Sequence, residues 1–315
     1  MAIPTAAPGG RPQLLVLRAL ALGDLLVAVP ALHALRKAFP EHRLLYAAPE
    51  WLAGAVGLVG GFELLPMASL EAPLPFKAGD VDVAVNLHGK GPQSSEVVHA
   101  LGARTVLQHR GPYGDGPEWI EDMHERERWT RLLQRHGIAA DPLECGLLPP
   151  PVPTSFPGAT VIHVGAAFAS RLWPADRFAQ VARHLSAGGH QVVLTGSAPE
   201  RERALEVCRL AGLPETAVVA GGLDLPAFAA CVAGARLVIS ADTGAAHLAS
   251  AYARPSIVLF GPVGPERWGP PSGPHVVLTR AEVRRGDPFA DRPDPALLAV
   301  SAGDVLAAAE RLEST

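Results

Sequence analysis

Three consecutive residues, Asp242-Thr243-Gly244, are well suited to binding an anionic ligand that also carries hydroxyl groups. They follow an apolar run of strand length, residues 237–240, and precede an Ala-rich segment, residues 245–253, that is predicted to be a helix. A strand–turn–helix unit of this kind binds ligands at the carboxyl end of its strand, and the free N–H groups at the helix start favour anions. The adjacent carboxylate predicts a ligand with both phosphate and hydroxyls.

A second carboxylate, Asp24, lies between a predicted strand at residues 13–18 and a predicted helix at residues 24–39. It could cap that helix by accepting from first-turn N–H groups, or serve as a general base at the strand's carboxyl end. The position of Asp24, taken alone, favours the capping role over the general-base role. The turn matches neither G-x-G-x-x-G nor G-x-x-x-x-G-K-S/T, so dinucleotide-binding and P-loop interpretations lose their main support.

Arg171 is the candidate cation for a phosphate group. It lies in the segment HVGAAFASRLWP, which follows the predicted strand at residues 160–164 and leads into a helix that starts near Pro174. Gly165 would allow close backbone approach, and an arginine at this place could stabilise charge that develops on a departing diphosphate. A surface arginine beside a buried Trp173 explains the spacing equally well.

Further donor-site candidates follow the predicted strand at residues 191–195. Thr195 and Gly196 end that strand, and Glu200 lies where an acidic residue often binds ribose hydroxyls in Rossmann-like folds. An acid that merely favours the helix start is the safer interpretation of Glu200 taken alone. His247 falls one turn into the helix after Asp242, although a single helical histidine is more often packed or solvated than functional.

The N-terminal half offers acceptor-side candidates. His88 and Lys90 lie in a donor-rich loop after the predicted strand at residues 81–86, and Gly23 precedes Asp24. Asp80-Val-Asp82 formally matches the D-x-D pattern of metal-dependent sugar transferases, but its alternation with valines indicates the entry to a strand. No His, Cys, Asp or Glu spacing elsewhere resembles a metal site, so no metal or other cofactor is expected.

Composition narrows the class of protein. The chain has 315 residues, a net charge of −4 and a sequence pI near 6.3, which gives no electrostatic signature for nucleic acid or an anionic membrane. Its three cysteines lack C-x-x-C spacing, which favours a reducing cytosol. The apolar stretch at residues 14–35 contains charged residues and a proline, so we interpret it as a strand and a helix; residues 1–12 are predicted to form a frayed tail.

Predicted strands and helices alternate in both halves of the chain. A proline-rich segment, residues 148–158, separates the halves and is predicted to be a stiff connection. We therefore predict two α/β domains with mostly parallel sheets, one over residues 1–150 and one over residues 151–315, with the final helix free to pack back on the first domain.

Together these motifs resemble glycosyltransferase family 9, the ADP-heptose:lipopolysaccharide heptosyltransferase family. Four segments carry the resemblance, in the family's order: LVLRALALGDLLVAVP (residues 15–30), HVGAAFASRLWP (163–174), SADTGAAH (240–247) and FGPVGPERWGP (260–270). The family has the GT-B fold, with two Rossmann-like domains that face a central cleft, an acceptor site in the first and a nucleotide-sugar donor site in the second. Its members are inverting and need no metal.

The resemblance also assigns roles to residues. The family's base aspartate falls on Asp24, the donor-sugar aspartate on Asp242, with Thr243 and Gly244 offering backbone contacts to the diphosphate, and the ribose-binding glutamate on Glu200. The family's diphosphate-contacting lysine falls on Arg171, which keeps the charge but changes its geometry. Some members carry hydroxyls where this chain has Ala166 and Ala167.

The leading hypothesis is a cytoplasmic, metal-independent, inverting glycosyltransferase acting on ADP-heptose or a close analogue. Its partners would be a nucleoside diphosphate sugar and a glycan or small-molecule acceptor, with no nucleic acid and at most peripheral contact with the inner membrane surface. Lipopolysaccharide core is the acceptor that the family suggests. A nucleotide-sugar epimerase or hydrolase, or a non-catalytic nucleotide-sugar binding protein, would use the same fold.

Overall fold

The computed structural model describes residues 10–314. The chain divides into two compact units, Met1–Leu148 and Pro149–Thr315, and each contains one five-stranded parallel sheet. Most of the predicted N-terminal tail, residues 1–9, lies outside the described residues. Among the residues described, no helix is both long and apolar enough to cross a membrane.

The first unit is a parallel sheet with helical crossovers. Its strands are β1 (Gln13–Leu17), β2 (Arg43–Ala48), β3 (Phe62–Pro66), β4 (Val83–Asn86) and β5 (Thr105–Leu107), and its helices are α1 (Leu22–Ala38), α2 (Ala53–Val59), α3 (Pro92–Ala100) and α4 (Glu125–Arg135). The strand order is β3-β2-β1-β4-β5. Every residue of β1 is buried, as expected for a central strand of a sheet covered on both faces.

The second unit repeats this architecture with a different strand order. Its strands are β6 (Thr160–His163), β7 (Val192–Thr195), β8 (Leu237–Ala241), β9 (Ser256–Leu259) and β10 (His275–Leu278), and its helices are α5 (Ala175–Ala187), α6 (Arg201–Ala211), α7 (Leu225–Ala233), α8 (Gly244–Ala251), α9 (Pro265–Trp268), α10 (Pro295–Leu298) and α11 (Ala302–Glu313). The order is β10-β9-β8-β6-β7, and the final helix α11 packs on α5 within this unit.

The α/β class with two parallel sheets is therefore confirmed, whereas two local predictions were wrong. The apolar segment at residues 217–219 predicts a short strand, but these residues do not form one: Glu215–Ala217 is a single 3₁₀ turn, and Val218 makes an isolated bridge to Leu194 of β7. Helix α1 begins at Leu22 rather than at Asp24, because Ala21 occupies the N-cap position with an extended backbone.

Strand order determines where each unit can bind a ligand. In the first sheet, β1 lies between β2 and β4, so the chain leaves β1 in one direction and returns on its other side. In the second sheet, β6 lies in the same way between β7 and β8. Such a topological switch point opens a crevice at the carboxyl ends of the two strands, which is where α/β proteins bind ligands. The candidate residues are found at these two points.

Candidate functional site

Asp242 lies at the switch point of the second sheet, directly after β8. It is buried, with 4% of its surface exposed, and its backbone N–H donates to Leu259 O at 3.0 Å. Its carboxylate is 3.4 Å from Arg171 Nη1 and 3.8 Å from His247 Nε2. The structure therefore brings together three of the predicted donor-site residues around one buried carboxylate.

Arg171 ends a short 3₁₀ turn, Ala169–Arg171, whose position is fixed by its neighbours. The fully buried indole of Trp173 donates from Nε1 to Val300 O at 3.0 Å, and Ser170 Oγ donates to Pro288 O at 2.6 Å. The Arg171 side chain is 26% exposed, so its guanidinium contacts Asp242 and solvent together. A partly exposed guanidinium in a fixed position can bind an anionic ligand.

Thr243 is the N-cap of α8, and Gly244 is the first residue of that helix. The first-turn N–H groups of a helix have no acceptor within the helix, so this end favours an anion. Thr243 does not use its hydroxyl to cap the helix, and both Thr243 Oγ1 and Ser240 Oγ are buried without a hydrogen-bond partner among the described residues. One of these two hydroxyls belongs to β8 and the other to the N-cap of α8.

Glu200 bridges the carboxyl ends of β6 and β7. Its carboxylate accepts a hydrogen bond from Ser197 N at 2.6 Å and lies directly over Gly165, where an added Cβ would be only 2.0 Å from Glu200 Cδ. An added Cβ at Gly196 would be 3.2 Å from Glu200 Cβ. The space above Gly165, which the sequence suggested for backbone approach, is therefore occupied by the glutamate side chain.

His163, the last residue of β6, was not among the predicted site residues. Its Nδ1 is 3.1 Å from Thr195 Oγ1, and its ring lies against Phe228, with the ring centres 5.6 Å apart. Burial lowers the pKa of His163, and the negative charge of Glu200 partly opposes this. The imidazole of His163 thus contacts Thr195 at the carboxyl edge of the sheet, where the charge of Glu200 also acts on it. Its place at a strand end was the signal that could have identified it.

Asp24 lies at the switch point of the first sheet, as the third residue of α1. Its Oδ2 accepts from Ala21 N at 3.2 Å, so it reaches back to the helix start from inside the first turn. The prediction that Asp24 is itself the N-cap was wrong, because Ala21 holds that position. The side chain of Asp24 is 27% exposed, and its carboxylate is accessible to a substrate.

Arg18 is the functional candidate that sequence reasoning missed. It directly follows β1 and is 1% exposed, and its guanidinium donates to Asp24 O at 2.6 Å and to Leu87 O. Its Nη2 lies 3.4 Å from Asp24 Oδ1. An arginine after an apolar strand usually points to solvent, so only the fold reveals this contact.

The acceptor-side candidates divide into two groups. His88 follows β4, and its pKa is lowered by burial and by the nearby charge of Arg18, while Asp24 raises it, so His88 shares the environment of that pair. Gly23 lies in the first turn of α1 beside Asp24. Lys90 instead forms an ion pair with Glu121 at 2.8 Å, with both side chains more than half exposed.

Asp82 has a structural role. It precedes β4, at the amino edge of the first sheet, where its carboxylate contacts Arg104 Nε and His42 Nε2, each at 2.8 Å. Hydrogen bonds from Arg104 and His42 lower the pKa of Asp82 to about 2. Across residues 10–314, no group of three or more His, Cys, Asp or Glu side chains is arranged to hold a metal ion.

Comparisons with known proteins point to one family. A family model described as glycosyltransferase family 9 (heptosyltransferase) matches residues 153–289. Lipopolysaccharide heptosyltransferase 1 of Pseudomonas aeruginosa is 40% identical over 102 residues, 32% of this chain and 28% of that protein. Lipopolysaccharide heptosyltransferase 2 of Escherichia coli is 31% identical over 132 residues, 39% of this chain and 38% of that protein. The matched segments thus span about a third of these relatives' length.

Solved structures extend the likeness to both units. The structure of E. coli ADP-heptose lipopolysaccharide heptosyltransferase II superposes with a TM-score of 0.76 at 20% identity, covering 96% of this chain and 100% of that one. An E. coli heptosyltransferase solved with ADP gives a TM-score of 0.71 at 21% identity, covering 95% and 99%. At such identities the likeness shows the fold, which is that of heptosyltransferase structures. The resemblance to glycosyltransferase family 9 is thus confirmed, with the family's sequence pattern matched over residues 153–289.

Proposed function

We propose that the chain is an inverting glycosyltransferase that transfers heptose from ADP-heptose to a hydroxyl of a glycan or other acceptor. The observation that carries this proposal is the Arg171–Asp242 pair beside the start of α8, which lies within the segment matched to the family. Relatives named as heptosyltransferases, and a neighbour named for ADP-heptose, support ADP-heptose as the donor.

In the proposed reaction Asp24 is the general base. It takes the proton of the acceptor hydroxyl while that oxygen attacks the anomeric carbon from the face opposite the diphosphate. The new carbon–oxygen bond forms as the bond to the diphosphate oxygen breaks, and the nucleoside diphosphate leaves with that electron pair. General-base assistance of this kind contributes about 10²–10⁴-fold to a rate.

Arg171 and the N-terminus of α8 would stabilise the leaving diphosphate. Negative charge grows on the bridging oxygen as the bond breaks, and fixed donors aimed at developing charge act without the cost of reorganising solvent. Arg171 contacts Asp242 at 3.4 Å, so a bound diphosphate would share the guanidinium with that carboxylate. Thr243 and Gly244 would contribute the N–H groups of the helix start.

The remaining donor-side residues would bind the sugar and the nucleoside. Asp242 would orient hydroxyls of the transferred sugar, with His247 at 3.8 Å from its carboxylate. Glu200, lying over Gly165 and beside Thr195 and Gly196, would accept hydrogen bonds from the ribose.

Three buried thiol cysteines support the further proposal that the protein works in a reducing compartment, the cytoplasm.

The decisive experiment incubates the purified chain with a panel of nucleoside diphosphate sugars, with and without candidate glycan acceptors, and detects products by mass spectrometry. We expect ADP-heptose to be consumed only when an acceptor is present, with equal rates in EDTA. Release of free heptose without acceptor would indicate a hydrolase, and an isomerised donor would indicate an epimerase. Binding of ADP-heptose with no turnover under any acceptor would contradict the transferase proposal.

A further inference from the structure

Arg18 is a buried cation in direct contact with the proposed base. Its guanidinium lies at the carboxyl end of β1, where 1% of the residue is exposed. One nitrogen donates to Leu87 O at the end of β4, a second donates to Asp24 O at 2.6 Å, and the third faces Asp24 Oδ1 at 3.4 Å. The group also lies over the Trp129 ring, 4.6 Å from its centre.

These contacts fix the guanidinium from several directions. The hydrogen bonds connect the ends of β1 and β4 to the first turn of α1, which are the elements that form the switch point of this sheet. Trp129 of α4 closes the remaining face. A charge buried so completely is costly unless its hydrogen bonds are satisfied, so this arrangement tolerates little movement of Arg18.

The carboxylate of Asp24 is held between two donors as a result. Ala21 N donates to Oδ2 at 3.2 Å, and Arg18 approaches Oδ1 from the side of the sheet. Donors on both oxygens restrict rotation of the carboxylate, and a general base must meet the acceptor hydroxyl in one geometry. Burial and the charge of Arg18 lower the pKa of His88, whereas the charge of Asp24 raises it. The three side chains therefore lie close enough to interact electrostatically.

We propose that Arg18 is a positioning residue for the transfer reaction: it holds the carboxylate of Asp24 in one orientation for proton uptake. This inference rests on the proposed function of Asp24. A purely structural role would make Arg18 important for folding only, and the two roles predict different kinetic behaviour.

Arg128 provides a matched control. It is also fully buried, pairs with Glu125 at 2.9 Å, donates to backbone carbonyls of Ile120 and Glu121, and lies over a tryptophan, Trp119, at 3.9 Å. Arg18 and Arg128 therefore share burial, carbonyl acceptors and an aromatic neighbour. They differ in their carboxylate partner, which is Asp24 only for Arg18.

The test compares Arg18→Lys, Arg18→Gln and Arg128→Lys in the full chain. For Arg18→Lys we expect kcat to fall about 10²-fold because of misorientation, with donor Kd unchanged within about twofold. For Arg18→Gln, which removes both the charge and the planar fork, we expect kcat to fall at least as far, again with donor Kd unchanged. Arg128→Lys should lower the melting temperature as much as Arg18→Lys does and leave kcat unchanged. Adding Arg18→Lys to Asp24→Asn should cost no further activity.

Equal kcat for the Arg18 and Arg128 variants would overturn the positioning role. Should the Arg18 variants not fold, Trp129→Phe reduces the ring surface beneath the guanidinium while keeping the ion pair. It should lower kcat several-fold without affecting donor Kd, and a wild-type kcat in that variant would also overturn the inference. If Asp24→Asn transfers sugar at the wild-type rate, the proposed function itself fails, which is a distinct result.

Discussion

The carboxylate of Glu200 lies directly on Gly165, so closely that a methyl group at position 165 would be 2.0 Å from Glu200 Cδ. Glycine is needed there for the space above its Cα, since the position does not have a positive φ. The end of β6 and the start of the helix after β7 are thus joined by one side chain. Through this contact Glu200, the residue proposed to bind the ribose of the donor, lies at the switch point of the second sheet.

Gly165→Ala should displace Glu200 and weaken donor binding. Because hydrogen bonds to a charged group contribute about 1.5–3 kcal/mol, we expect the Kd for the donor to rise at least about tenfold. The fold should persist, because the carboxylate is the flexible end of a side chain and can move. Isothermal titration with ADP measures the effect. Gly303→Ala, where the nearest atom would be 3.6 Å from the new Cβ, is the control and should bind normally.

Asp24→Asn should abolish transfer while preserving donor binding. The amide keeps the shape of the side chain but cannot accept the proton, so we expect kcat to fall about 10²–10⁴-fold. Asp24 belongs to the first unit, whereas the donor-binding candidates belong to the second. The Kd for ADP should therefore remain that of the wild type. A variant with normal turnover would remove Asp24 from the mechanism.

Arg171→Ala should lower kcat about 10²–10³-fold, the usual effect of removing one donor that stabilises developing negative charge. Arg171→Lys should recover part of this loss, because the charge remains although the planar fork is lost. Arg177→Ala is the matched control: this arginine lies in α5 of the same unit and donates to Val300 O at 2.7 Å, and its loss should leave kcat near the wild-type value. Steady-state rates at saturating donor distinguish the three variants.

His109 should make the first unit sensitive to acid. Burial, together with the positive charges of Arg128 and Arg131, lowers the pKa of His109 to about 4, below the value near 6.5 of an unfolded chain. Because the folded state then binds fewer protons, the stability contribution is complete above pH 6.5 and is lost as the pH falls towards 4. The full loss is roughly 3 kcal/mol.

His109→Phe isolates this effect from other titrating groups. Both ring nitrogens of His109 are buried without hydrogen-bond partners within residues 10–314, and the ring packs against Trp119 and Trp129, so phenylalanine can replace it. Urea unfolding followed by tryptophan fluorescence at pH 7.5 and 4.5 should show a smaller pH dependence in the variant. Identical pH dependence in both proteins would refute the assignment.

Much of the architecture could be predicted because apolar runs and helical periodicity mark individual elements. The predicted strand at residues 13–18 and the helix after it correspond closely to β1 and α1. The start of α1 could not be predicted, since its N-cap, Ala21, lacks the side-chain oxygen that normally signals a helix start. Strand β10 was not predicted from the sequence; all four of its residues are only partly buried, as at the edge of a sheet.

Contacts between distant residues limited the prediction of the site. Asp242, Arg171 and His247 could be named from motifs, and the structure brings them together. The contact between Arg18 and Leu87 spans 69 residues and depends on the strand order β2-β1-β4, which no local pattern contains. Glu200 could be named as a candidate from the sequence, but the position of its side chain over Gly165 could not be predicted.

The loop that carries Arg171 is held in place by residues that come much later in the sequence. Ser170 bonds to Pro288, 118 residues further on, and Trp173 bonds to Val300, 127 residues further on. During translation, therefore, these two hydrogen bonds cannot form until the chain has been made through Val300. Contacts of such long sequence separation also form slowly in refolding. Donor-binding competence should consequently appear only after residues 288–300 have folded onto this loop.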